Sequence, residues 1–393
     1  MSAKKQKRKI KTKKIDPRVF LLISSALILT ITILGLFLYI SNSTRSIAPP
    51  IYEEIYSKTS DLTQEISKID NTIYESLYRR GIQDKNILFS KVEPRHSDGH
   101  DWDFTELSVY LNTYNSVIRF EKIISRELYN LRPSVGFKKQ RVNREIVCSI
   151  SALGFPTHKI RLIPREFQKN KRKRLPEIGI IIDDLGYDRD MATAFIHSNL
   201  AFSISVLPLA PYTKRIANEA NKAGLDLILH LPMEPKGYPN LNPGPGALLV
   251  NMDEKDIRRT IINHLEKIPG VRGVNNHMGS YFTEREDKMR VVLSELKKRN
   301  LFYIDSRTTS NTVAFQMAKK LGVPVAKRSV FLDNELSTNA IKFQMQRLMG
   351  LARHSGMAIG IGHPHEETLR ILKDYLHRYR EKVEIVPVSK IVN

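Results

Sequence analysis

The sequence predicts an α/β protein. A distorted (β/α)7-8 barrel spans residues 176–393, preceded by a transmembrane helix and a small α+β module. Three observations carry this reading. Beyond residue 176, short and almost wholly apolar runs alternate with amphipathic segments, as parallel strands covered on both faces require. Five of those runs end in a carboxylate, an imidazole or both. The chain opens with a dense basic arm followed by a long uncharged stretch.

With 393 residues, 41% hydrophobic and 26% charged, the composition is that of a globular protein and excludes wholesale disorder, collagen and simple coiled coil. The single cysteine, Cys148, excludes an internal disulfide framework and a Cys-rich zinc module. The abnormal value is the net charge of +22. Lys4, Lys5, Lys7, Arg8, Lys9, Lys11, Lys13, Lys14 and Arg18 oppose Asp16 alone, and residues 19–40 then carry no charged side chain. At a rise of ~1.5 Å per residue such a helix is roughly 33 Å long, enough to cross a ~30 Å hydrocarbon layer. The positive-inside tendency makes residues 1–18 a basic cytoplasmic arm, 19–40 a single-pass anchor in the cytoplasmic (inner) membrane, and the remainder extracytoplasmic. A cleaved signal peptide is the rival, but the run exceeds a usual h-region and no small-x-small site follows it. Beside a membrane helix the arm sets topology and touches anionic lipid, so no nucleic-acid partner is expected.

Residues 51–82 read as a helix, with Ile51, Ile55, Leu62, Ile66 and Ile69 at helical spacing, either a stalk or one helix of a small domain. A strand is expected at 104–111, a helix at 114–131 and extended stretches at 142–153 and 158–163, so that 51–165 form a helical stalk and small α+β module. His96 and His100 flank a Ser-Asp-Gly loop and are read as loop polarity rather than a metal site. A basic linker, 166–175, ends at Pro176. Strands follow at 178–182, 202–207, 225–231, 271–275, 301–304, 323–326, 357–361 and 383–388. Helices are expected at 253–267, 284–299, 312–321, 337–354 and 366–380. Seven or eight such units make a closed or nearly closed β/α barrel, with a doubly wound open sheet as the runner-up. In both, functional side chains gather just past the C-terminal ends of the strands.

The sequence obeys that rule. The first strand ends in Asp183-Asp184, the third in His230 with Glu234 four residues on, the fourth in Asn275-Asn276-His277, the fifth in Asp305-Ser306-Arg307 and the seventh in His363-Pro364-His365. His197, His264, His354 and His377 fall on expected helices instead. Neutral imidazoles with a carboxylate suit Zn²⁺ and are acceptable to Fe, Co or Ni. Two adjacent carboxylates cannot both point one way from a regular strand, so one binds metal while the other acts on water. A histidine across the mouth can protonate a leaving nitrogen, typically worth ~10²–10⁴-fold. An apolar strand followed by two acids also fits a Walker B segment, but no G-x-x-x-x-G-K-[ST] loop is present. Helix capping explains one of the two aspartates and none of the histidines.

Five segments in order resemble the divergent polysaccharide deacetylase family, an offshoot of the NodB-like carbohydrate esterases. They are Gly-Ile-Ile-Ile-Asp-Asp-Leu-Gly at 179–186, Leu-His-Leu-Pro-Met-Glu-Pro at 229–235, Gly-Val-Asn-Asn-His-Met-Gly-Ser at 273–280, Asp-Ser-Arg-Thr-Thr at 305–309 and Gly-Ile-Gly-His-Pro at 360–364. The resemblance implies a barrel of the polysaccharide deacetylase type over 176–392. It implies Asp183 as catalytic base, Asp184 and His230 as metal ligands and His363 as acid. The esterase pair His-x-x-x-His reads His230-x-x-x-Glu234 here, and Asn276-His277 stands where the parent family has an Arg-containing motif. The expected ligand set is therefore Asp184, His230 and His277, with Glu234, Asn276 and Arg307 as additional ligands or substrate contacts. Asp305 joins Asp183 and His363 in the catalytic set. The implied reaction is metal-assisted hydrolysis, with Zn²⁺ first among divalent metals, of N-acetyl groups on an N-acetylated cell-envelope polysaccharide. Two alternatives stay open: a catalytically silent glycan- or partner-binding envelope protein on the same fold, and a phosphodiesterase-like metal hydrolase.

Overall fold

The computed structural model describes residues 61–165 and 175–393, together with the helical positions Leu29, Thr30, Thr32 and Ile33. The expected basic arm, the rest of the expected anchor, the start of the 51–82 helix and residues 166–174 of the linker lie outside the described residues. Among the described residues no helix is long and apolar enough to cross a membrane.

Residues 61–165 build a five-stranded sheet with two helices. Helix α1 (Asp61–Arg79) buries Leu62, Ile69, Ile73 and Leu77 along one stripe, in one apolar cluster with α2 (Tyr114–Tyr129) and the strands. Over these residues it is a packed helix and not a free stalk, because a stripe of that width needs a covering surface. The strands are β1 (Ile87–Ser97), β2 (His100–Leu111), β3 (Val135–Val142), β4 (Glu145–Ala152) and β5 (Phe155–Pro164), in the order β1-β2-β5-β4-β3. Only the β2–β5 pair is parallel. The extended stretch expected at 142–153 forms as β4, which pairs with β3 in a hairpin turning at Asn143 in the left-handed region. Strands β1 and β3 are absent from the sequence reading because both are polar edges. Pro94 sits in β1, and Lys138, Lys139 and Arg141 are exposed in β3. Edge strands accept proline and lysine where central strands do not. The loop between His96 and His100 is a tight hairpin with positive φ at Asp98 and Gly99, and His96 Nδ1 lies 3.2 Å from Asp101 Oδ1.

The second sheet is parallel. Its strands are β6 (Glu177–Leu185), β7 (Ser203–Val206), β8 (Asp226–Met233), β9 (Gly273–Met278), β10 (Phe302–Asp305), β11 (Val325–Lys327), β12 (Val330–Phe331) and β13 (Met357–Gly362), with β14 (Glu384–Ile385) beside the start of β6. Helices α3 (Arg189–Ile196), α4 (Thr213–Lys222), α5 (Glu254–Lys267), α6 (Glu286–Lys298), α7 (Ala314–Leu321), α8 (Thr338–Ser355) and α9 (Glu366–Tyr379) connect the strands. The order β11-β10-β9-β8-β7-β6-β13-β12 steps around a ring without reversing, which removes the doubly wound alternative. The ring is curled but not closed by a ladder, since β11 pairs with β10 and β12 with β13. Residues 328 and 329 bridge the gap: the Arg328 amide donates to the Asp305 carbonyl (3.0 Å) and the Ser329 amide to that of Ile359 (2.8 Å).

Alternation along the strands sorts side chains into two layers. Ile181, Ile228, Ile304, Ile359 and Ile361 fill the ring, while Ile180, Ile182, Leu229, Leu231 and Tyr303 pack under the helices. The C-terminal segment forms the floor. A Cβ added at Gly179 would meet Val388 at 2.7 Å, so glycine is what lets that segment approach β6. The open end of the ring is the C-terminal end of the strands.

Candidate metal centre

Asp183 shares the inner face of β6 with Ile181, and regular alternation would send Asp184 outward. Asp184 instead adopts φ +56°, and the β6–β7 register shifts between Ile182 and Leu185. A non-glycine residue held left-handed costs of order 1–3 kcal/mol, and such irregularities re-aim side chains. Here the irregularity turns both carboxylates into the mouth. Met278, the last residue of β9, and Arg307, two residues past β10, adopt the same left-handed conformation.

His230 is inward by its parity with Ile228, and His277 is inward on β9. Asp184 Oδ1 lies 2.9 Å from His230 Nε2 and 2.9 Å from His277 Nδ1, and those two nitrogens are 3.2 Å apart. These three donors form the one group of side chains among the described residues that could hold a metal ion. The two imidazole nitrogens are at hydrogen-bond distance of each other, but neither contact to Asp184 is aligned as a hydrogen bond, and both Asp184 oxygens are buried without an oriented donor. Metal–ligand bonds of ~2.0–2.1 Å set donors roughly 3.3 Å apart in a tetrahedral shell and about 2.9 Å apart in an octahedral one. The triangle fits either, so the donor set can hold a divalent cation.

Asn275, two residues before His277 and on the same face, organises the rest. Its Oδ1 accepts from His230 Nδ1 (2.9 Å) and from the Ser205 hydroxyl (2.8 Å), which leaves His230 Nε2 as the lone-pair nitrogen. Its Nδ2 donates to Asp183 Oδ1 (2.8 Å) and Oδ2 (2.9 Å). The sequence reading singles out Asn276 and passes over Asn275. Period two from His277 is the signal that would have found it.

The two aspartates are pushed in opposite directions. Burial raises the pKa of Asp183, and the adjacent Asp184 charge adds to the rise against the pull of His230 and His363. Burial acts upward on Asp184 too, but the imidazoles of His277 and His230 outweigh it and hold that carboxyl below the ordinary range. Neighbouring carboxyls driven apart in this way are the mark of divided acid–base and charge-holding roles.

His363 ends β13 on the inner face with Ile361. Its Nδ1 lies 2.8 Å from Asp333 Oδ1, while its backbone amide and the Thr368 hydroxyl both donate to Asp333 Oδ2 (2.7 Å each). Asp333 is missing from the sequence reading because it follows a strand of two residues, too short to register as an apolar run. Burial would raise Asp333, but His363 and these donors hold its carboxyl low.

Four expected residues lie outside this centre, three of them with other partners. Glu234 Oε2 accepts from the Val250 amide (2.6 Å) and fastens the loop after β8, outside the group formed by Asp184, His230 and His277. Asn276 points outward, accepting from Tyr303 Oη (2.9 Å) and the Ser306 amide (3.0 Å). Asp305 shares the helix-facing side of β10 with Tyr303, and its oxygens accept from the amides of Arg307 (2.9 Å) and Phe315 (3.2 Å) and from Thr312 (3.1 Å). Its carboxylate is a loop and helix-start cap, outside the group around Asp184. The Arg307 side chain reaches no carboxylate of the centre and borders a neighbouring cavity.

The sequence pattern of the divergent polysaccharide deacetylases matches residues 180–392, more than half of the chain. The chain belongs to the divergent polysaccharide deacetylase family. The uncharacterized protein YibQ of Escherichia coli K12 is 35% identical over 217 residues, covering 55% of this chain and 67% of YibQ. A Haemophilus influenzae protein is 30% identical over 215 residues, covering 55% of this chain and 76% of its own length. In structure, ATU2773 of Agrobacterium tumefaciens superposes with a TM-score of 0.54 at 25% identity, covering 57% of this chain and 92% of that one. All the chemistry described above lies inside the deacetylase segment, and the five-stranded module lies before it.

Proposed function

We propose that the protein is a membrane-tethered amide hydrolase that removes N-acetyl groups from a cell-envelope glycan. Asp184, His230 and His277 would hold its divalent cation, with Zn²⁺ the first choice. What carries the reading is one arrangement inside a deacetylase-family domain: three buried donors at metal-ligand spacing, with an adjacent carboxyl of raised pKa. A cation held there supplies Lewis-acid charge and lowers the pKa of water to about 7. Asp183 takes the proton of the attacking water, and its raised pKa makes it a better base than an ordinary carboxylate. Asn275 holds both Asp183 oxygens and the His230 ring in place. Asp333 fixes the His363 ring at Nδ1 and stabilises its protonated form, so that Nε2 delivers a proton to the departing nitrogen. Water adds to the acetyl carbon, the C–N bond breaks, and acetate and a free amine leave. The apolar run at 19–40 and its basic flank support a single-pass tether with the hydrolase outside the inner membrane, away from nucleic acid.

The test is the full chain purified in detergent, with its metal content measured and acetate release followed on N-acetylglucosamine oligomers and peptidoglycan fragments. The expected result is one metal ion per chain and acetate release, both lost in Asp184→Ala. An unchanged rate in Asp184→Ala with no bound metal overturns the reading. The complete burial of Asp183, His230, His277 and His363 favours a second reading, a silent glycan-binding envelope protein. In that case Asp183→Asn supports the cell's phenotype as well as wild type does.

A further inference from the structure

Between the five-stranded module and the mouth loops lies a cavity of about 560 Å³. It is bordered by α1 and the β1–β2 hairpin on one side, and on the other by residues 307–310 and parts of 328–347. That volume suits a small organic ligand or one to two sugar units. Its walls combine the aromatic side chains of Trp102 and Phe331 with the amides of Gln64, Asn71 and Asn334. The Trp102 indole N–H already donates to the Pro156 carbonyl (2.9 Å), so the ring offers apolar surface and the amides offer polar edges. A pyranose has the matching chemistry, with an apolar C–H face and a rim of hydroxyls.

The charges of the lining are nearly all committed. Lys68 pairs with Glu65 at 2.6 Å, Arg328 donates to the carbonyls of Ser306 and Arg307, and Arg347 engages Asp70 and Thr105. The acids are equally engaged: Asp70 by His158, Asp101 by His96 and Ser310, Asp103 by Arg328, and Glu335 by Ser67 and Ser337. Arg307 is the exception among them. Its backbone is pinned by Asp305 and Arg328, yet its guanidinium makes no hydrogen bond or ion pair with a described residue. Arg347 adds a buried Nε, also without a partner. The Asp305 carboxylate feels the Arg307 charge but is spent on three other donors, so the guanidinium is open to a further anion, and its planar fork matches a carboxylate. Phe331 joins the cavity to the metal centre, its ring centroid 6.0 Å from that of His363.

We infer that this cavity is a second saccharide subsite, taking one or two sugar units that carry a carboxylate, with Arg307 on that carboxylate. The inference rests on the proposed function for the polymer concerned, but binding here does not require the metal centre. Trp102 is the only tryptophan in the chain, so its fluorescence in the detergent-purified full chain reports on this cavity. Three probes are titrated: the N-acetylglucosamine–N-acetylmuramic acid disaccharide, neutral diacetylchitobiose, and an acidic alanylglutamate dipeptide. The acidic disaccharide gives a saturable change at a concentration about tenfold lower than the neutral one. Arg307→Gln removes that preference, Arg307→Lys restores part of it, and Asp184→Ala leaves it intact. No saturable response to either saccharide overturns the inference. So does a preference unchanged in Arg307→Gln, or a dipeptide that binds as tightly as the disaccharide. Acetate release without a fluorescence response defeats this subsite alone. A response without acetate release upholds the subsite and defeats the hydrolase reading alone.

Discussion

Where the module meets the barrel, Asp70 of α1, His158 of β5 and Arg347 of α8 are buried together. In the barrel mouth, Asp184, His230 and His277 are buried together. At the module, His158 Nε2 lies 2.7 Å from Asp70 Oδ1, its Nδ1 lies 3.0 Å from Thr157 Oγ1, and Arg347 reaches Asp70 and Thr105. Each carboxylate oxygen and ring nitrogen there has an aligned partner. In the mouth the distances are as short, yet three donor atoms converge on one point and the Asp184 oxygens accept no aligned bond. Residue type and burial do not distinguish the two groups. Alignment does: a cluster whose carboxylate and imidazole are hydrogen-bonded locks elements together, and one whose donors converge is arranged for an ion.

The largest expected effect is a double dissociation between them. Asp184→Ala lowers metal affinity by more than the ~10–100-fold typical of supporting residues, while urea unfolding of the metal-free protein shows no loss of stability. Asp70→Ala leaves metal binding unchanged and costs about 3–5 kcal/mol in the same unfolding experiment, because it strands a buried guanidinium. If Asp70→Ala instead sheds metal, the two clusters are coupled and the contrast fails. Next in size, Asp183→Asn retains one metal ion per chain and loses ~10²–10⁴-fold in acetate release. Metal loss in that variant would make Asp183 a ligand. Asn275→Ala follows, weakening metal binding by ~10–100-fold as the His230 ring loses its orientation, whereas Glu234→Gln leaves titrated affinity as in wild type.

The smallest effect is in pH. The Asp70 carboxyl is held below its ordinary value of 3.8: burial pushes it up, but Arg347 and His158 pull it down further. A depressed folded pKa stabilises the fold above the unfolded value, and this contribution is lost as pH falls through the folded one. Unfolding free energy measured from pH 5 downward should therefore fall less steeply in Asp70→Asn than in wild type. Equal slopes would show that Asp70 is not ionised in the fold.

Much of the barrel was legible because parallel strands need continuous apolar runs, and these stand out in the chain. Runs at 178–182, 225–231, 271–275 and 357–361 all became strands, and the helices expected at 253–267, 284–299 and 366–380 formed within two residues of those bounds. The weaker elements escaped. Helix α3 spans 8 residues and α4 only 10, and β12 has two, so none builds a long periodic signal. Asp183, Asp184, His230, His277 and His363 could be named in advance because polar residues at the ends of apolar strands are conspicuous.

The chain alone decided which residues end the strands, since that follows from where apolar runs stop. Which of those residues face one another was decided by packing. Both faces of a parallel strand are apolar, so sequence cannot say whether Ile304 or Asp305 looks into the ring, and Asn275 is found only once His277 is known to face inward. The left-handed turn at Asp184 overrides alternation at the residue where it matters most. The Asp333–His363 pair follows from the pairing of β12 with β13, and the cavity beside Arg307 exists only where the module packs against the mouth loops.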